Sequence, residues 1–196
     1  IAGVNGDFRE EIDSVAPYVY YDAEEAKELL ATAGYGVDNP LNLVYKYNTN
    51  TMHDVVAQVL QQQWKEVGVN VTFEAMEIRT FFADRDENGN YQLARGAMSA
   101  DYMDPTTFLC MLITSAQQKP VVTDDVYDGL IADAEATKDP AERLEKLHKA
   151  EKYLVEEKAY TIPVLGYRTF YLLNPNVSGI GYDPVGNIYI ENVQVK

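Results

Sequence analysis

The sequence predicts an α/β fold, because segments with strand periodicity alternate with segments with helix periodicity. Residues 41–47 and 69–75 alternate apolar and polar side chains, which is typical of strands. Between them, residues 52–67 repeat apolar side chains at helical spacing. This order predicts a βαβ unit with parallel strands and a right-handed crossover. We expect the whole sheet to be mixed and flanked by helices.

Residues that cap helices mark further elements. Asp22 precedes a predicted helix at 23–33, with Glu25 placed to complete a capping box. Asp139 followed by Pro140 is the clearest helix start in the sequence. The remaining predicted helices are 78–84, 105–113, 124–137 and the one after Asp139, and the remaining predicted strands are 91–98, 162–167, 169–173 and 188–193.

Composition excludes several classes of partner. The chain has 196 residues, of which 46% are hydrophobic, so it can form a core rather than remain disordered. Its formal net charge of -15 gives no basic surface for nucleic acid and disfavours anionic lipid. No apolar run approaches the length of a membrane span. We therefore expect no nucleic-acid partner and no membrane span in this chain.

The residues that usually form metal and catalytic sites are scarce. Cys110 is the only cysteine, so neither an internal disulfide nor a cysteine-based zinc site can form. The two histidines, His53 and His148, are too few for a metal site, and His148 lies on a charged helix. For His53, ligand contact and simple exposure both stay open. Without nucleotide-binding or nucleophile motifs, we expect no catalytic residue, metal or cofactor.

Two carboxylates lie close together in the sequence, at Asp101 and Asp104. Paired carboxylates serve acid/base hydrolysis when their separation in space is suitable. We favour a different role for Asp104, as the cap of a helix that starts at Pro105. Asp101 would then stand free at the end of the preceding strand.

Arg95 is the only charged residue in the stretch 93–100, whose small side chains allow another backbone to approach closely. Six positions separate it from Asp101, so a regular strand places both side chains on one face. Their separation along that strand would be about 20 Å, too far for a direct ion pair. A cation and an anion on one face complement the two charged ends of a peptide.

The order and spacing of several landmarks resemble those of the periplasmic oligopeptide- and dipeptide-binding proteins, the receptors of peptide ABC importers. The landmarks are residues 21–30, 64 with 68–71, 100–102 with 104–105, 127–128, 139–143, 150–151 and 162–164. The resemblance extends over nearly the whole chain. It implies a periplasmic-binding-protein-like lobe that binds short peptides.

The resemblance also implies a role for individual residues. Asp101 matches the acidic residue that receives the peptide's N-terminal ammonium. Arg95 matches an arginine that meets the C-terminal carboxylate of short peptides, and His53 a histidine that meets that of slightly longer ones. The strand that pairs with the peptide backbone corresponds to Gly96, Ala97 and Ser99. Met98 and Ile78 stand where members often have an aromatic residue and a tryptophan, so the side-chain pockets are expected to differ.

The resemblance further implies the partners and the location. We expect residues 1–187 to form the second lobe of the receptor, and residues 188–196 to be a terminal strand returning to the first lobe. That strand should be frayed, or paired within this lobe or with a neighbouring molecule. The other expected partners are the membrane subunits of an ABC transporter. The location would be extracytoplasmic, in the periplasm or at the cell surface through a lipid anchor.

Two other functions stay open at this point. One is a hydrolase using Asp101 and Asp104, which a closed cleft with the carboxylates about 5 to 10 Å apart would favour. The other is a protein-interaction module derived from such a lobe. A broad exposed apolar patch, without a groove between Arg95 and Asp101, would favour that module.

Overall fold

The structure is a computed structural model that describes residues 20–116, 123–167, 170–183 and 185–196. The described residues divide into two compact units, one formed by residues 20–97 and the other by described residues from 98 onward.

The first unit is a parallel sheet with helices between its strands. Its elements are α1 (Ala23–Thr32), β1 (Leu41–Asn48), α2 (Thr51–Glu66), β2 (Val69–Met76), α3 (Ile78–Phe82), a π-helical turn (Ala83–Glu87) and β3 (Leu93–Ala94). The strand order is β2-β1-β3, and β1 pairs in parallel with both neighbours. The predicted parallel strands of the βαβ unit are confirmed.

The core of the first unit lies on one face of β1 and β2. Tyr45 and Tyr47 pack there with Val69, Val71 and the fully buried Ala57 of α2. Burial of each large apolar side chain stabilises the fold by about 1.5 to 3 kcal/mol. Because strand side chains alternate, the even-numbered residues of β1 belong to the opposite face of the sheet.

The helix starts of this unit are capped by side chains, by Asp22 as predicted and by Asn50, for which no cap had been predicted. The Asp22 carboxylate accepts hydrogen bonds from the backbone N–H groups of Glu24 and Glu25, at 3.0 and 2.9 Å. The predicted capping box was wrong, because Glu25 does not reach back to the backbone of Asp22 but accepts a hydrogen bond from the Tyr20 hydroxyl at 2.6 Å. Asn50 caps α2 by accepting from the backbone of Met52 at 2.9 Å.

The second unit is mainly helical. Its elements are α4 (Thr106–Leu109), a 3₁₀ turn (Cys110–Leu112), α5 (Asp125–Ala136), α6 (Pro140–Lys152), a π-helical turn (Tyr153–Glu157), β4 (Val177–Ser178), β5 (Gly181–Tyr182), β6 (Ile188–Tyr189) and β7 (Gln194–Val195). Leu109, Tyr127, Ile131 and Leu147 form its buried core. As predicted, Asp139 caps α6, accepting from Glu142 N at 2.9 Å.

The closing strands of the second unit are much shorter than predicted. Residues 162–167 and 170–173 have no regular structure, and Thr169 lies outside the described residues. From 188–193 only Ile188–Tyr189 is a strand, antiparallel to β5, while β7 pairs antiparallel with β4. Thus the parallel and antiparallel pairings occupy separate sheets rather than one mixed sheet. The terminal segment pairs within its own unit through two-residue ladders of exposed side chains.

Candidate functional site

The candidate site of the first unit begins where its parallel strands end. Asn48 is the last residue of β1, Asn50 caps the following helix, and His53 lies in that helix's first turn. Ligands of open α/β sheets bind at the carboxyl ends of the strands. The Asn/Thr-rich loop after β1 is therefore in the position where such folds contact ligands.

Arg95 follows β3 and has three hydrogen bonds. Its backbone N–H donates to the carbonyl of Lys46 at 2.8 Å, and its own carbonyl accepts from Nη1 of Arg85 at 2.9 Å. Its guanidinium Nη1 donates to Oδ1 of Asn48 at 3.2 Å. No carboxylate in the described ranges forms an ion pair with the half-buried Arg95. Within those ranges the guanidinium therefore contacts only a neutral partner, the side-chain amide of Asn48.

Arg85, in the π-helical turn, is in the opposite electrostatic situation. Its Nε and Nη2 donate to the two carboxylate oxygens of Asp86, at 2.5 and 2.9 Å. Its guanidinium carbon also lies 5.3 Å from the ring centre of Phe81 and 5.1 Å from that of Phe82. The charge of Arg85 is thus paired with a carboxylate, while that of Arg95 has no counter-ion among the described residues.

His53 is half-buried and anchored to the end of β1. Its Nδ1 lies 2.9 Å from the backbone carbonyl of Asn48. Because a carbonyl oxygen only accepts hydrogen bonds, Nδ1 carries the proton, and Nε2 is directed to the other side of the ring. Asn48 is itself only 5% exposed and contacts both His53 and Arg95. Sequence analysis missed Asn48 and Arg85; the only local signal for Asn48 was its place at a strand end.

The segment after Arg95 is not the long strand that the sequence predicted. β3 covers only Leu93–Ala94, so the predicted strand at 91–98 was too long, and Gly96, Ala97 and Ser99 have no regular structure in this chain. The ladder between β1 and β3 ends at Lys46 and Ala94, although β1 itself continues to Asn48. Residues 96–100 make no backbone hydrogen bonds to other described residues. A Cβ added to Gly96 would meet nothing within 4 Å, so this backbone is open to an approaching chain.

Asp101 belongs to the second unit, in a bend rather than at a strand end. The same-face relation to Arg95 was predicted for a regular strand, and no regular strand joins the two residues. The Asp101 backbone N–H donates to Oγ1 of the buried Thr107 at 2.9 Å. Its exposed carboxylate has no hydrogen-bond or ion-pair partner among the described residues. The backbone is fixed, and the charge faces solvent.

Asp104 is engaged in structural contacts. Its Oδ1 accepts from Thr106 N at 3.0 Å, but the predicted cap was wrong by one residue, because α4 begins at Thr106 and its N-cap is Pro105. Arg143 of α6 donates to both of its oxygens, at 2.7 and 2.9 Å. These hydrogen bonds from Arg143 lower the pKa of Asp104 from 3.8 to about 2. A carboxylate this acidic and fully paired is poorly suited to acid/base catalysis.

Within the described ranges, no cluster of three or more His, Cys, Asp or Glu side chains could bind a metal ion. None of the helices described there is both long and apolar enough to cross a membrane.

Comparison with known proteins assigns the family. Residues 4–120 match the family described as bacterial extracellular solute-binding proteins, family 5, middle region. The chain belongs to this family. It is 39% identical over 175 residues to the periplasmic oligopeptide-binding protein OppA of Salmonella typhimurium, covering 88% of this chain and 32% of that protein. It is also 32% identical over 166 residues to the periplasmic murein peptide-binding protein MppA of Escherichia coli, covering 83% and 30%.

Solved structures of family members have the same fold. The Haemophilus influenzae OppA complex with the peptide RPPGFSPFR superposes with a TM-score of 0.73 at 32% identity, covering 88% of this chain and 34% of that one. The unliganded open form of MppA gives a TM-score of 0.74 at 28% identity, covering 91% and 36%. The predicted lobe of a periplasmic binding protein is thus confirmed. This family 5 chain spans about a third of the length of the relatives that it matches.

Proposed function

We propose that this chain is the peptide-binding lobe of an extracytoplasmic receptor that delivers short peptides to an ABC importer, and that it is not an enzyme. Relatives named as oligopeptide- and murein-peptide-binding proteins support this function over hydrolysis or a general interaction module. The structure of a relative in complex with a nonapeptide supports it further.

The observation that carries the proposal is the half-buried charge of Arg95. Its guanidinium contacts the neutral amide of Asn48, and no described carboxylate pairs with it. A half-buried cation without a counter-ion is stabilised by an anionic ligand, and arginine binds carboxylates in a bidentate geometry. We propose that Arg95 binds the C-terminal carboxylate of short peptides.

The other predicted residues have complementary roles in this proposal. His53 would bind the carboxylate of slightly longer peptides through Nε2, since Nδ1 is already bonded to the chain. Asp101 would receive the peptide's ammonium with its exposed carboxylate. Gly96, Ala97 and Ser99 would pair with the peptide backbone by strand addition, because their backbone groups have no partners among the described residues.

Within the receptor, residues 1–187 would form the second lobe, and residues 188–196 would return to the first lobe. Exposed apolar side chains in the second unit support a further partner there, with Phe170 at 87% and Leu172 at 104% exposure. The membrane subunits of the importer would be the next partners. The receptor would act in the periplasm, or at the cell surface through a lipid anchor.

The test is calorimetry on the full-length receptor, meaning a protein of the relatives' length that contains this chain. A tripeptide with a free carboxylate is compared with its C-terminal amide, on the wild type and on Arg95→Met. We expect the wild type to bind the amide at least about tenfold more weakly than the acid. Arg95→Met should bind the two peptides with similar affinity. Arg79→Met is the matched control, since Arg79 is exposed and its guanidinium has no partner among the described residues. Equal binding of acid and amide by the wild type would contradict the proposal.

A further inference from the structure

We propose that Arg85 is a positioning residue for recognition of the peptide carboxylate, acting through its hydrogen bond to the Arg95 carbonyl. This inference rests on the function proposed above, in which Arg95 binds the carboxylate of short peptides.

The contacts of Arg85 are those of a fixed support rather than of a ligand-binding cation. Nη1 donates to the carbonyl of Arg95 at 2.9 Å, while Nε and Nη2 donate to Asp86. The aromatic rings of Phe81 and Phe82 lie beside the guanidinium. Its side chain is only 16% exposed. A planar guanidinium with paired charge and aromatic neighbours has little freedom to turn toward a ligand.

The Arg95 carbonyl, which Arg85 contacts, lies where the backbone hydrogen bonds between β1 and this segment end. The N–H of Arg95 donates to Lys46, which is the final backbone bond between this segment and β1. Beyond Arg95, residues 96–100 make no backbone hydrogen bonds to other described residues. The side-chain bond to Asn48 is long at 3.2 Å and involves a neutral acceptor. The hydrogen bond from Arg85 therefore fixes the orientation of the Arg95 backbone carbonyl.

The turn that carries Arg85 is anchored on the same residue of β1. Lys46 is 7% exposed, and its Nζ donates to Asp84, the neighbour of Arg85, at 2.6 Å. The backbone carbonyl of Lys46 accepts from Arg95. Lys46 thus fixes both the turn and the segment that Arg85 joins. A change at Arg85 should move the Arg95 guanidinium without dismantling the sheet.

The experiment measures peptide affinity of the full-length receptor by calorimetry, with a tripeptide acid, its C-terminal amide and a pentapeptide acid. Arg85→Met retains side-chain length and packing against the aromatic rings but removes the hydrogen bond. We expect Arg85→Met to lower the affinity for the tripeptide acid about tenfold and to change the affinity for the pentapeptide acid less than about twofold. The ratio of the affinity for the tripeptide acid to that for its amide should also fall. Arg85→Lys, which retains a donor, should recover part of the loss. Arg79→Met should leave all three affinities unchanged.

A double variant and a folding control separate the possible outcomes. If Arg85 acts through Arg95, Arg85→Met should add little to the loss caused by Arg95→Met. Equal losses for all three peptides, or additive losses in the double variant, would show general structural support and overturn the inference. Unchanged tripeptide affinity in Arg85→Met would overturn it as well. If Arg85→Met unfolds at lower temperature than the wild type, the same comparisons are made with Arg85→Lys. The acid-to-amide ratio of the wild type tests the proposed function independently.

Discussion

Arg95 donates a hydrogen bond from Nη1 to the side-chain oxygen of Asn48, 47 positions earlier in the chain, at 3.2 Å. The backbone carbonyl of Asn48 contacts the Nδ1 of His53. One buried, uncharged residue therefore contacts both proposed carboxylate-binding side chains. Because Asn48 is neutral, it orients Arg95 without cancelling its charge.

The first prediction follows from that neutrality. Asn48→Asp places a carboxylate beside the Arg95 guanidinium, and the resulting ion pair should compete with the peptide carboxylate. We expect affinity for a tripeptide acid to fall about tenfold or more, measured by calorimetry on the full-length receptor. Asn42→Asp, an exposed change on the same strand, is the control and should have no effect. Unchanged affinity in Asn48→Asp would separate Asn48 from carboxylate binding.

The second prediction concerns peptide length. Arg95→Ala should weaken short peptides more than long ones, and His53→Ala should do the reverse, because each side chain reaches only a terminus at its own position. Calorimetry with a series from dipeptides to pentapeptides measures both profiles. If each variant lowers the affinity by the same factor at every peptide length, neither residue discriminates between peptides by length.

The third prediction concerns the peptide's ammonium. The exposed Asp101 carboxylate has no partner in the described part of the chain, whereas its backbone is fixed by Thr107. Asp101→Asn should reduce peptide affinity more than about tenfold, since losing the partner of an enclosed charge costs about 2 to 5 kcal/mol. N-acetylated tripeptides should bind the wild type poorly for the same reason. Calorimetry showing no loss from either change would leave Asp101 as a structural residue.

The fourth prediction concerns the backbone at Gly96. Since a Cβ added there meets nothing within 4 Å, Gly96→Val should leave the unfolding temperature of the full-length receptor nearly unchanged. The added side chain should nevertheless obstruct a peptide that pairs with this segment. Affinity should therefore fall by a similar factor for peptides of every length. Gly129→Ala is the control, because Gly129 also has open space but lies on α5 of the other unit. Full affinity in Gly96→Val would argue against strand addition here.

The fifth prediction concerns stability and pH. The pKa of Asp104 is lowered from 3.8 to about 2, mainly by hydrogen bonds from Arg143. A lowered folded-state pKa means that this contribution, about 2 kcal/mol, is present above about pH 4 and is lost as pH falls through about 2. Urea unfolding of wild type and Asp104→Asn should differ at pH 7 and converge toward pH 2. A difference that stays constant over this range would show that the ion pair does not stabilise the fold.

The sequence was most informative where structure is local. Asp22 and Asp139 lie next to the N–H groups that they cap, so their effect depends on a few neighbouring residues. The βαβ unit was also predictable, because the spacing of apolar side chains along β1, α2 and β2 defines one buried face on each element. The roles of Arg95, His53 and Asp101 came from resemblance and stay predictions.

Strand lengths were predicted poorly, because a strand needs a partner that its own residues do not specify. Residues 91–98 have strand-like composition, but only Leu93–Ala94 pairs with β1, even though β1 continues to Asn48. Residues 162–167 likewise have strand-like composition without regular structure. Pairing depends on distant parts of the chain, and composition alone does not supply it.

The chain's amino-acid sequence by itself determined the α/β class, the capped helices, the lack of cysteine pairs and the family resemblance. Only the tertiary structure decided which charges are paired. Arg85 and Arg95 are both arginines in one short segment, yet Asp86 neutralises the first and Asn48 contacts the second. Asp101 and Asp104 differ in the same way, because Arg143 of α6 reaches only Asp104. The physical reason is that an ion pair depends on distance in space, which folding sets both for chain neighbours such as Arg85 and Asp86 and for residues far apart such as Asp104 and Arg143.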